Sequence, residues 1–157
     1  MDKCIAYEQK IKLDNFINDF IKQNQNYKII YLTLTGSKLY GINNEDSDTD
    51  ITGIFLPSKD DLILSKVKHT FSYCSNNNGK NSKNDIDLTL FSIHHFLENL
   101  SKGETNAMEI FFSMYRTDTV ITKTIYSDIL VERKEIILSN NILPMIKFAE
   151  SLFNKYH

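Results

Sequence analysis

The sequence predicts an α+β fold: a mixed β-sheet flanked by helices, with a helical C-terminal tail. Three observations predict it. An amphipathic stretch opens the chain, four short β-rich runs follow with brief connections, and the remainder carries helical periodicity. No internal repeat is visible. One structural domain is expected, with residues 1–115 as its core and residues 116–157 as a helical extension packed on that core.

Residues 7–24 place Leu13, Phe16, Ile17, Phe20 and Ile21 on one apolar helical stripe, and the polar run 23–26 ends it. Tyr27–Thr35 (YKIIYLTLT) is β-branched and aromatic, hence a strand. Gly36-Ser37 interrupts it, Lys38–Tyr40 makes a short helical turn, and Gly41 closes that turn. Asn43–Asp48 is a polar loop. Asp50–Leu56 (DITGIFL) is a second strand, stopped by Pro57. Ser58 caps a short helix over 58–65, whose first turn holds Asp60 and Asp61 where the helix dipole favours them. Thr70–Ser75 is a third strand. Asn76–Asn84 (NNNGKNSKN) is too polar to pack and is expected to form a mobile hairpin loop. Asp85–Phe91 (DIDLTLF) alternates polar and apolar residues, which gives a fourth strand with two distinct faces. Ser92 caps a helix over 93–101, and 105–112, 124–138 and 141–156 read as further helices. Pro144 stands in the first turn of the last, where a missing N–H does no harm.

Composition excludes several classes of function. The chain has 157 residues and a net charge of −2, so it is no strongly basic nucleic-acid coat, although a local basic groove is still compatible. No apolar run approaches the ~18 residues of a membrane span, and the N-terminus lacks the apolar core of a signal peptide. Cys4 and Cys74 make neither a disulfide framework nor a metal-site spacing. They read as reduced thiols of a cytoplasmic protein. Lys, Asn and Ile supply a third of the residues while arginine appears only at Arg116 and Arg133, a bias that AT-rich coding explains.

The densest chemistry is Gly36-Ser37 followed by Asp48-Thr49-Asp50. Residues i and i+2 of a strand project to one face, about 6.5–7 Å apart. Asp48 and Asp50 therefore stand side by side and repel unless a cation lies between them. Carboxylates suit hard cations such as Mg²⁺, which shares its shell with phosphates. Asp85 and Asp87 repeat the spacing on the next strand, and either could add a third carboxylate. Three carboxylates with two Mg²⁺ ions suit two-metal phosphoryl or nucleotidyl transfer. Gly36 lets backbone approach a ligand, and Ser37 adds a hydroxyl.

Simpler readings compete. Asp-Ser-Asp clusters are common in turns. Asp46, Asp48 and Asp50 imitate the start of a calcium loop, but Ile51 stands where that loop needs Gly and Pro57 where it needs Glu. No Gly-Lys-Ser/Thr follows a Gly-rich run, so there is no Walker loop. His94 and His95 are adjacent on a helix and cannot chelate one ion; one is expected to pack and the other to be solvated.

Gly36-Ser37, ten intervening residues, then Asp48-x-Asp50 match the signature of the polymerase-β nucleotidyltransferase superfamily. The longer string GSKLYGINNEDSDTDITGIFLP resembles one branch, the predicted nucleotidyltransferases of bacteria, phages and large viruses, including RNA-repair-associated polymerase-β-like proteins. Tyr40, Gly41, Ser47 and Gly53 fall in place, Asp87 matches the third-aspartate strand, and Lys102-Gly103, Asn106 and Glu109 are similar to a later block. Residues 129–139 resemble the helix after the core. There are departures. His94-His95 stand where relatives often have Arg-Lys, Ala107 replaces a proline, and the chain ends at His157 where relatives usually continue with helix. Recipient binding is therefore expected to be reduced, altered or supplied by a partner.

The resemblance implies a polymerase-β-like fold and transfer of an NMP from an NTP, ATP or CTP, to an acceptor hydroxyl with release of pyrophosphate. Asp48 and Asp50 would hold two Mg²⁺ ions (Mn²⁺ as substitute), with Asp87 completing the acceptor-side metal and Asp85 as the alternative. Gly36 and Ser37 would bind the β- and γ-phosphates. Lys38 would approach them or be solvated, and Tyr40 would pack under the turn or stack on a base. Asn106 and Glu109 would line the acceptor side. The acceptor would be an RNA 3′ end, such as that of a tRNA, or a protein hydroxyl as in antitoxin-type enzymes. A non-catalytic module that binds nucleotide or a partner is the alternative of another class. A cytoplasmic location, the host's if phage- or virus-encoded, and no membrane are expected; the oligomeric state is left open.

Overall fold

The computed structural model describes residues 7–42, 47–75 and 85–156. The expected loop at 76–84 and most of the one at 43–48 lie outside them. The elements run α1 (Tyr7–Gln23), β1 (Lys28–Leu34), α2 (Gly36–Tyr40), β2 (Thr49–Leu56), α3 (Lys59–Ile63), β3 (Thr70–Cys74), β4 (Ile86–Ser92), α4 (Ile93–Lys102), α5 (Thr105–Ser113), β5 (Val120–Lys123), α6 (Ile125–Glu132), α7 (Lys134–Ile137) and α8 (Leu143–Tyr156). The caps read from the sequence are present. Ser58 accepts from the Asp61 amide and Ser92 from the His95 amide, while Gly41 ends α2 in the left-handed region.

The sheet has the order β3-β4-β2-β1-β5. Only β2 and β4 run parallel; the other neighbours are antiparallel, so the sheet is mixed as expected. Helices cover both faces. On one, Leu13, Ile17 and Phe20 of α1 meet Leu32, Leu34, Ile51, Phe55, Leu88 and Leu90. On the other, Phe96, Leu100, Ala107, Ile110, Phe111 and Leu130 meet Ile30, Tyr31 and Ile54. An irregular register between Ile29 and Tyr31 lets the adjacent Ile30 and Tyr31 join the same core. Deep inside, the Tyr31 hydroxyl bonds to Ser113 Oγ at 2.9 Å.

The stretch from residue 116 differs from the helical extension expected. It starts with β5, which pairs with β1. The Leu34 amide donates to Thr119 O just before it. Four residues are too few for a period-2 signal, and sequence reading passes over such a strand. The helix expected over 124–138 divides into α6 and α7 at Arg133, whose backbone (φ −96°, ψ 17°) leaves helical geometry. The final helix, α8, keeps many apolar residues exposed, Met145, Phe148 and Phe153 among them.

Candidate active site

Strand periodicity builds the site. Ile51 and Phe55 of β2 and Leu88 and Leu90 of β4 point into the core under α1. Their alternates Asp50, Thr52, Asp87, Thr89 and Phe91 therefore turn to the opposite face. There they floor a cleft of about 280 Å³ roofed by Asn106, Glu109 and Ile110 of α5, with Thr35 and Gly36 at one end. The parallel register sets Asp50 directly against Asp87, and Thr52 against Thr89.

Gly36 fits this corner for a steric reason. The Thr35 amide donates to Asp50 O at 2.9 Å, which draws the start of α2 onto β2. Gly36 has φ +61°, and a Cβ there would lie 2.3 Å from Asp50 Oδ2. The carboxylate occupies the room where any other residue would carry its side chain.

The electrostatics follow from crowding. Burial, then Asp87, then Asp48 push the Asp50 carboxyl above the usual carboxylate range, and Lys38 pulls the other way. Such a group releases its proton more readily beside a cation. Hard oxygen donors packed against their own repulsion fit a divalent metal ion in donor type and charge. Among the described residues, no three His, Cys, Asp or Glu side chains are gathered closely enough to hold an ion outright.

Each expected residue has a definite place. Asp50, Asp87, Gly36, Asn106 and Glu109 line the cleft. Asp48 stands just before β2, half-buried, near enough to act on Asp50. Asp85 is 7% exposed, and its carbonyl accepts from the Thr49 amide at 2.9 Å; it does not line the cleft. Ser37 is half-buried in α2 and likewise off the cleft wall.

Two side chains depart from expectation. Lys38 neither reaches the cleft nor is solvated. It is 3% exposed, and its ammonium donates to Thr49 Oγ1, bracing α2 against the strand that carries Asp50. Tyr40 does not pack under the turn. It is 65% exposed, and the neighbouring Glu109 carboxylate pushes the phenol pKa up. Arg116 Nη1 ties the Leu39 carbonyl at 2.7 Å and so holds the far end of α2. His94 is exposed while His95 is half-buried, the division expected for adjacent residues of one helix. Sequence reading missed Thr52, Thr89 and Phe91. The i+2 alternation counted onward from Asp50 and Asp87 was the available signal.

A model described as the RNA repair pathway DNA polymerase beta family matches residues 10–156. Over 84 residues the chain is 34% identical to an uncharacterised 38.9 kDa protein of the nrdC-mobD intergenic region of Enterobacteria phage T4. That match covers 53% of this chain and 25% of the phage protein.

Proposed function

The chain belongs to the RNA repair pathway DNA polymerase beta family, and from that premise we propose that it is a metal-dependent nucleotidyltransferase. The reaction moves an NMP from an NTP, ATP or CTP, to an acceptor hydroxyl and releases pyrophosphate. The acceptor is an RNA 3′ end. The observation that carries this reading is the register of β2 on β4, which faces Asp50 with Asp87 beside the Gly36 backbone.

In this mechanism Gly36, at the end of the cleft, receives the β- and γ-phosphates with the adjoining Ser37, while the room its missing Cβ leaves is taken by Asp50. Asp50 and Asp87, joined by Asp48, would hold Mg²⁺ as a pair of ions, with Mn²⁺ as a substitute, and the metal would supply activation of the attacking oxygen and charge neutralisation for the leaving pyrophosphate. Asp87 orients the attacking hydroxyl and accepts its proton. Lys38 keeps β2 and α2 in register without touching phosphate. Glu109, beside Tyr40, and Asn106 wall the acceptor side.

The test uses α-labelled NTPs, Mg²⁺ and total cell extract, with the double variant Asp48→Asn, Asp50→Asn as control. Label is expected in RNA with the wild type and absent with the variant. Transfer that survives in the variant sinks the carboxylate assignment. Label in protein alone replaces the RNA acceptor with a protein hydroxyl.

A further inference from the structure

The cleft continues past its carboxylates. Behind Phe91 and Asn106, both shared with it, opens a second cavity of about 230 Å³ that also takes in His95, Asn99 and Glu104. Phe91 lies four residues beyond Asp87 on the same face of β4, hence about 13 Å along the strand. That span exceeds one nucleoside. Whatever fills the cavity while its reacting hydroxyl sits at Asp87 is one unit back along a chain.

The lining has a particular chemistry. The Phe91 and His95 rings stand 5.9 Å apart at 35°, which makes a tilted aromatic wall. Asn99 Nδ2 faces His95 Nε2 at 3.1 Å. His95 Nδ1 is closed to a water-sized molecule and has no hydrogen-bond partner among the described residues, so it faces protein and not the cavity. A Glu98 carboxylate oxygen lies 3.9 Å from it, and Glu98 is engaged by Lys102 at 2.7 Å. Glu104, across the cavity, offers a carboxylate that only accepts.

We propose that this cavity receives the base of the nucleotide upstream of the reacting RNA 3′ end. The inference rests on the transfer reading above and deepens it. A flat ring with a donor on its edge answers the aromatic wall of Phe91 and His95 and the Glu104 carboxylate together. Single-stranded RNA is recognised through such stacking and edge bonds. The spacing requires a chain that carries a ring one unit before its hydroxyl, as an RNA strand does.

Fluorescence anisotropy with a 5′-labelled triribonucleotide tests this, with the labelled mononucleotide as reference and thermal melts of every variant. The trinucleotide is expected to bind the wild type at least tenfold more tightly than the mononucleotide. His95→Ala and Asn99→Ala should each remove most of that gain. His95→Phe, which keeps a flat ring and no hydrogen-bonding group, should restore part of it, as a histidine needed only for its contact with Asn99 would not. Equal binding of both probes, or a full gain in folded His95→Ala and Asn99→Ala, overturns the proposal. If the gain behaves as expected while no label leaves any NTP, the transfer reading fails and the subsite stands. If label moves only into protein and the trinucleotide does not bind, the subsite fails and the transfer reading stands.

Discussion

Replacing Gly36 with alanine separates two effects that glycine serves at once. The first is conformational. Gly36 has φ +61°, and an alanine forced into that region costs about 1–2 kcal/mol, which at about 2–4 °C per kcal/mol lowers Tm by about 2–8 °C. The second is steric. The new methyl would stand 2.3 Å from Asp50 Oδ2, so the carboxylate must leave its place opposite Asp87. Gly41 is an internal control, because it has φ +68° but nothing within 4 Å of a built Cβ. Gly41→Ala should suffer the same backbone cost and spare the carboxylate. The assay is a thermal melt of each variant beside label transfer from NTP. Both should melt lower by a similar amount, and only Gly36→Ala should lose transfer, by at least about a hundredfold for a 1 Å misplacement. Wild-type transfer in Gly36→Ala, or equal loss in both, refutes the steric argument.

Three more predictions concern the same region. Asp50 holds its proton to higher pH in the fold than the ordinary 3.8, so stability falls as pH rises from that value through the folded one and then levels. Asp50→Asn should therefore melt above the metal-free wild type at pH 7, with an advantage that vanishes as the pH falls to the ordinary carboxylate range. Gly53→Ala would put a Cβ 2.3 Å from the Tyr31 carbonyl and 2.5 Å from Leu32 Cδ2; backbone cannot yield cheaply, and urea unfolding should show a loss of at least about 1–3 kcal/mol. Arg116 holds the Asp118 carboxyl down at about 2; in Arg116→Ala its NMR titration should move up toward 3.8.

Local signals were legible where residues act on their own neighbours. The stripe of Leu13, Ile17 and Phe20, the caps at Ser58 and Ser92 and the stop at Gly41 each depend on a few adjacent positions, and each was read from the sequence. Long-range effects were less legible. Nothing next to Val120 announces that β1 offers it an edge, so β5 was lost in the approach to a helix. Lys38 reads as a surface residue, since only the fold brings Thr49 and Asp50 to its ammonium. The Asp50–Asp87 pairing stands between these cases. The i, i+2 pattern gave each strand its polar face, but the register that sets one aspartate against the other exists only in the assembled sheet.

The place of the two carboxylate strands in the sheet also governs how the molecule comes apart. β2 lies between β4 and β1, and each of these has a further strand outside it. Backbone amides of interior strands exchange with solvent only when most of the domain opens, whereas peripheral helices fray on their own. Deuterium should therefore enter α8 early and the amides around Asp50 and Asp87 last. Function borne on loops is commonly lost before the body unfolds. Here the proposed carboxylate site lies on interior strands, so inactivation by heat should coincide with global melting.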